Sequence, residues 1–193
     1  MSTIATGRMT VKEFERIEDS LDDDQVELID GYIVRMDEMK PPHVLASELL
    51  RDSLQPMIPA GRYIREDKPV QIPDYDQLRP DIAVVRGNPR VYAKHHPMPE
   101  DISLLIEISD ATLYKDRKQK LPSYARSGIP VYWIVNVIEH QVELYTKPVA
   151  DQYGSKLVFT TGQSVPVVID GVEVGQIAVD DFMPEIEPAA DGH

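Results

Sequence analysis

The 193-residue sequence contains no cysteine. That absence excludes a disulfide framework and a thiolate zinc site, and it fits a reducing cytosol, where the chain is expected to reside. Long apolar runs are missing as well: none approaches the roughly 20 residues that span a bilayer. The N-terminus lacks the basic-then-apolar layout of a signal peptide, so no membrane partner is expected. Positive charge is scarce, with 20 Lys and Arg against 33 Asp and Glu and a formal net charge of −13. A nucleic-acid protein usually carries a basic footprint, because phosphates repel an acidic surface. The distribution softens that objection. Between Arg79 and Trp133 there are nine Lys/Arg against six Asp/Glu, and the acid gathers in Glu13 to Glu38 and after Asp170. A soluble, self-repelling surface accounts for the same charge.

The apolar content of 42% is enough for one substantial core. With no repeat and no clear linker, we expect a single domain over residues 1–187 and a frayed tail over 188–193. Thr10 followed by Glu13 forms a capping-box pattern that opens a short helix ending near Asp19, and Asp22 to Asp24 reads as a solvated turn. Asp30-Gly31 between apolar alternations predicts a β-hairpin from Val26 to Met36, with Glu27 on its first strand.

Pro41-Pro42 starts a helix through about Met57, with Val44, Leu45, Leu49, Leu50 and Leu54 at helical spacing. Strands are expected over Tyr63 to Ile72 and Arg79 to Val85, separated by a polar turn at Pro73 to Gln77. A loop from Asn88 to Pro99 precedes an apolar strand, Ile102 to Ile108. A helix spans Lys115 to Ser127 and stops at Gly128. Val131 to Val137 and Gln141 to Thr146 form a strand pair, followed by further short β segments. The order predicts an α/β fold with a mixed central sheet flanked by helices and an antiparallel β extension.

Two carboxylates stand out against this frame. Asp81 follows Pro80 at the start of one apolar strand, and Glu107 lies near the end of the next. If those strands are antiparallel neighbours, both acids sit at one sheet edge. Buried acids are costly without a partner, and a divalent cation is a common one. The backbone carbonyl of Ile108 is a plausible third oxygen for Mg or Mn. Downstream, Asp116, Lys120 and Tyr124 are spaced i, i+4, i+8 on one helix. Lys120 is the candidate for orienting or activating an attacking water, or for stabilising charge on phosphorus oxygens. Asp116 either pins that lysine or makes an ordinary surface ion pair.

Other residues keep two readings. His43 is a packing or capping histidine, or it supports the acid site from behind. His95-His96 lack a further ligand at suitable spacing and read as exposed. Tyr132-Trp133 suit core packing better than base stacking. Lys115, Arg117 and Lys118 either meet phosphates or form a solvated helix face.

Pro80-Asp81 followed by Glu107-Ile108-Ser109 resembles the PD-(D/E)XK nuclease superfamily. The wider string is more specific. Glu27-Leu28-Ile29-Asp30-Gly31, His43, Arg79-Pro80-Asp81, Glu107-Ile108-Ser109, Asp116 to Leu121, Tyr124 to Pro130 and Tyr132-Trp133 together resemble the Uma2 family of bacterial endonucleases, over roughly Met9 to Pro184. The resemblance implies a restriction-endonuclease-like fold and hydrolysis of DNA. It implies Asp81 and Glu107 as metal ligands, Lys120 as the catalytic lysine displaced onto the helix, and Glu27 as an additional acid. The superfamily's lysine two positions after the glutamate is Ser109 here. Val131 and Asn136 replace acids that the family often carries. A homodimer would suit cleavage of both strands. The alternative is a nuclease-fold module that binds nucleic acid or protein without turnover.

Overall fold

The structure is a computed structural model that describes residues 7–21 and 25–185. The expected turn at Asp22 to Asp24 and the expected tail at 188–193 lie outside the described residues. Strands are β1 (Val26–Ile29), β2 (Tyr32–Arg35), β3 (Arg62–Glu66), β4 (Val70–Ile72), β5 (Asp76–Leu78), β6 (Ile82–Arg86), β7 (Ile102–Ser109), β8 (Val131–Asn136), β9 (Gln141–Val149), β10 (Gln152–Thr160), β11 (Ser164–Ile169) and β12 (Val172–Ala178). Helices are α1 (Val11–Phe14), α2 (Pro41–Leu54), α3 (Leu113–Lys115) and α4 (Leu121–Arg126), with a π-helical turn, Asp116–Lys120, joining the last two.

The central sheet has the order β10-β9-β8-β7-β6-β3, in which only β7 and β8 run parallel. A parallel pair needs a crossover, and the segment from α3 to α4 supplies it. Because both faces of this sheet are covered, β6, β7 and β8 are apolar almost throughout. Ile82, Val84, Leu104, Ile106, Trp133 and Val135 face one side, against Ala46, Leu50 and Leu54 of α2 and the β11–β12 hairpin. Ala83, Val85, Leu105, Tyr132 and Ile134 face the other, against Tyr124 of α4. Tyr132 and Trp133 are fully buried on opposite faces, which agrees with their reading as core residues. Among the described residues, no helix is long and apolar enough to cross a membrane.

A second sheet, β2-β1-β5-β4, sits beside this crossover. Its β1–β2 hairpin turns at Asp30 and Gly31, whose φ angles of 52° and 80° suit the Asp-Gly pair. A side chain at Gly31 would collide with Arg8, since an added Cβ would lie 2.6 Å from the Arg8 Cβ.

Several boundaries differ from expectation. The capping box of Thr10 and Glu13 forms, yet α1 ends at Phe14, and a 3-10 turn (Glu18–Ser20) follows. The segment Tyr63 to Ile72 divides between two sheets, breaking at Asp67, whose φ is 48°. The expected polar turn at Pro73 to Gln77 contains β5, because Asp76 and Gln77 are buried and partnered. Helix α2 buries His43, Ala46, Leu50 and Leu54, whereas Val44, Leu45 and Leu49 are exposed.

Candidate active site

Strands β6 and β7 are antiparallel, with Ile82 opposite Ile106. That register puts Asp81, one residue before β6, beside Glu107 on the face that packs against α4. Helix α2 brings His43 to the same point from the other direction. Its Nε2 donates to Asp81 Oδ1 at 3.0 Å, while the Ile108 amide donates to Asp81 Oδ2 at 2.5 Å. Asp81 is therefore held by a backbone donor and a side-chain donor.

Glu107 is 3% exposed, and both of its oxygens are engaged. Lys120 donates to Oε2 at 3.0 Å, and the Tyr124 hydroxyl donates to Oε1 at 2.8 Å. The i, i+4 spacing of Lys120 and Tyr124 aims both at one carboxylate. Lys120 Nζ also lies 3.2 Å from Glu27 Oε2, and it donates to the Arg79 carbonyl at 3.5 Å. The structure thus brings together Asp81, Glu107, Lys120 and Glu27, drawn from four separate elements. Ile108 stands beside them, its amide on Asp81.

Acid outweighs base in this pocket. Glu27 Oε1 is buried without a hydrogen-bond partner, and Lys115 Nζ lies 3.6 Å from it. Burial pushes Glu107 well above the usual carboxylate range. Lys120 opposes that rise, and the carboxylates of Asp116, Asp81 and Glu27 add to it. Burial alone would lower the Lys120 ammonium, but the surrounding carboxylates outweigh it and keep Lys120 charged. His43 follows the same logic: burial lowers it, and Asp81 more than restores it. Asp67, whose amide donates to the Asp81 carbonyl, is raised by burial and by Asp81 to about 6.

Asp116 corrects the expectation made for it. It is 2% exposed, which rules out a surface pair, and its Oδ2 accepts from Ser109 at 2.7 Å and Thr112 at 2.8 Å rather than from Lys120. Ser109, in the place of the superfamily lysine, thereby fixes the crossover helix to the end of β7. Of the cations weighed as phosphate contacts, Lys115 pairs with Asp37 at 3.0 Å and Arg117 with Glu143 at 2.5 Å. His95 is exposed as expected, whereas His96 is half-buried, and burial lowers its ring below the usual imidazole range. The bond from Tyr124 to Glu107 was not foreseen, although its place on the Lys120 stripe carried the signal.

The cavity between these groups is about 40 Å3, lined also by Met36 to Met39. That is enough for an ion or a water, far below the roughly 300–1,000 Å3 of organic-ligand pockets. Among the described residues, no three His, Asp or Glu side chains stand in a ready-made metal cage. The donor chemistry nevertheless suits a hard divalent cation: carboxylate oxygens, a nearby carbonyl, and one buried Glu27 oxygen with no hydrogen-bond partner.

A mixed sheet with two acids at the abutting ends of antiparallel strands, and a lysine and a tyrosine delivered by the crossover, defines a restriction-endonuclease-like α/β protein. The sequence model of the Uma2 family, described as "Putative restriction endonuclease", matches residues 11–179, and the chain belongs to that family. Among solved structures, the chain is similar to a nuclease of DUF820 from Anabaena variabilis, described as putative, with 16% identity and a TM-score of 0.68. The match covers 91% of this chain and 97% of that one. No curated protein matches.

Proposed function

We propose that the protein is a metal-dependent endodeoxyribonuclease that hydrolyses DNA phosphodiester bonds. The observation that carries the proposal is the buried excess of acid around one lysine: Glu107 bound by Lys120 and Tyr124, Asp81 beside it, and a Glu27 oxygen with no hydrogen-bond donor. A fold stabilised only for its own sake gains nothing from such a surplus. Membership of a nuclease family supports the same reading.

In this proposal Asp81, Glu107 and the Ile108 carbonyl hold Mg or Mn. When bound, the cation supplies a lowered water pKa and neutralises charge on the phosphoryl oxygens. The remaining work falls to the protein. Lys120 orients the attacking water and offsets charge on the phosphorane oxygens. Tyr124 fixes the plane of the Glu107 carboxylate, and His43 fixes that of Asp81. Glu27 keeps Lys120 protonated and aimed inward, as an additional acid of the site.

The test is nicking of supercoiled plasmid with and without Mg or Mn. Wild type should cut only with metal, and Asp81→Ala/Glu107→Ala should not cut. Equal cutting by the double variant, after contaminating nuclease has been excluded, would overturn the proposal. A second reading, a binding module without turnover, draws on the engagement of both Glu107 oxygens by protein donors. Calorimetry separates the two, since an inactive module would bind no Mg or Mn at millimolar concentration.

A further inference from the structure

A cleft of about 480 Å3 lies next to the carboxylate cavity, and the chemistry above makes no use of it. In the hairpin, Glu27 pairs with Val34 and Ile29 pairs with Tyr32. Directly paired residues share a face, as do residues two apart on a strand. Glu27 at the acid site and Ile29 with Tyr32 at the cleft are therefore successive steps on one surface, about 7 Å apart. Asp116, Lys120 and Tyr124 turn toward the acids, and Lys118, Pro122 and Arg126, also four apart, line the cleft.

The cleft's charges are arranged unlike those of the acid site. Its carboxylates are satisfied internally: Asp76, 5% exposed, accepts from the Asp30 amide at 2.6 Å and from Ser123 at 2.7 Å, and Asp30 pairs with Arg8. Burial raises the Asp76 carboxyl, against the lowering pull of Ser123 and Arg126. Its cations remain available. Lys115, Arg117 and Lys120 are tied to carboxylates, whereas Lys118 and Arg126 form no ion pair among the described residues. Beside them the Tyr32 ring is 64% exposed. An exposed aromatic face flanked by two exposed cations matches a nucleotide, with its base on the ring and its phosphates on the cations.

We propose that this cleft holds a nucleotide of a single DNA strand adjoining the phosphate at the carboxylate site, with Tyr32 against the base and Lys118 and Arg126 on the backbone. The proposal rests on the nuclease reading for the position of that phosphate. The ligand class is a single strand, because a stacked base must leave its helix.

The test uses the full chain and a fluorescein-labelled single-stranded 12-mer, read by anisotropy in EDTA across a salt series. Lys118→Ala/Arg126→Ala should weaken binding at least tenfold and flatten the slope of log K against log salt by about 1.4, since each single-strand phosphate contact contributes about 0.7. Tyr32→Ala should weaken it about tenfold, and Tyr32→Phe should retain binding. Arg90→Ala/Lys94→Ala removes equal charge from the loop after β6, at the end remote from Asp81. Equal weakening by that control, unchanged affinity in the cleft variants, or no binding by wild type each overturns the inference. Metal-dependent nicking is scored separately. Nicking with cleft-independent binding removes the cleft and leaves the nuclease, whereas cleft-dependent binding without nicking supports the cleft and removes hydrolysis.

Discussion

Glu107 and Glu143 lie in one row of the central sheet, each opposite Ile134 of β8, and both are almost fully buried. Their surroundings differ. Glu143 accepts from Arg117 at 2.5 and 3.1 Å, from Lys156 at 2.7 Å and from Tyr145 at 2.6 Å. Burial pushes Glu143 up, but these donors outweigh burial and hold it below the usual carboxylate range. Glu107 has one cation, shared with Glu27, and is pushed the other way. Tyr124, Tyr132 and Tyr145 pack ring to ring between the two, at centroid distances of 5.0 and 5.9 Å. The same sheet face thus carries a carboxylate with more donors than it needs and a carboxylate with fewer. The first secures the β9–β10 hairpin to the crossover; the second, with a single shared cation, is the carboxylate to which the proposal assigns a metal.

The sharpest break in this comparison should come from activity. Lys120→Met keeps most of the side-chain volume and removes the ammonium, and we expect a loss of about 100-fold or more in metal-dependent nicking. Glu143→Gln should cut at close to the wild-type rate. A plasmid time course at saturating Mg distinguishes them.

Stability should invert the order. Glu143→Gln loses charge-assisted bonds worth about 2–3 kcal/mol together, because its partners are partly exposed and regain water. The urea midpoint should fall with an unchanged m-value. Glu143 has a lowered folded pKa, so its contribution is present above the unfolded value of 4.5 and is lost as pH falls through the folded value. The gap between the two proteins should therefore narrow in acid.

Glu107→Gln should show the opposite sign. Its raised folded pKa means that the carboxylate costs stability as pH rises above 4.5, so the variant should lose less stability than wild type as pH is raised from 4.5 to about 7.5. The smallest effect belongs to Asp67, raised from 3.8 to about 6. Asp67→Asn, which tolerates the positive φ, should stabilise by about 1 kcal/mol above pH 6 and by nothing below pH 4. Thermal unfolding across pH checks both variants.

Much of the site could be read from the chain because its determinants are local or follow from one strand pairing. Asp30-Gly31 dictates the hairpin that carries Glu27, and two successive apolar runs with a modest connection imply the antiparallel pair that unites Asp81 with Glu107. The spacing of Lys120 and Tyr124 placed both on one helix face. What escaped depended on tertiary choice. Glu143 and its donors come from β9, β10 and the crossover, and no local pattern links them. Helix α2 buries Ala46 and His43 in place of the bulkier Val44, Leu45 and Leu49, because a close helix-to-sheet approach and a bond to Asp81 decide its rotation. Strand β5 was hidden because its Asp76 and Gln77 read as turn residues, although both are buried with partners more than 40 residues away in sequence.

The central claim is that the acid-rich pocket, and not the saturated one, holds a metal and cuts DNA. Plasmid nicking by wild type and by Asp81→Ala/Glu107→Ala, purified identically and titrated with Mn, tests it most directly. The account predicts metal-dependent nicking by wild type and none by the double variant. Equal nicking by both, or none by wild type at any Mn concentration, would contradict it.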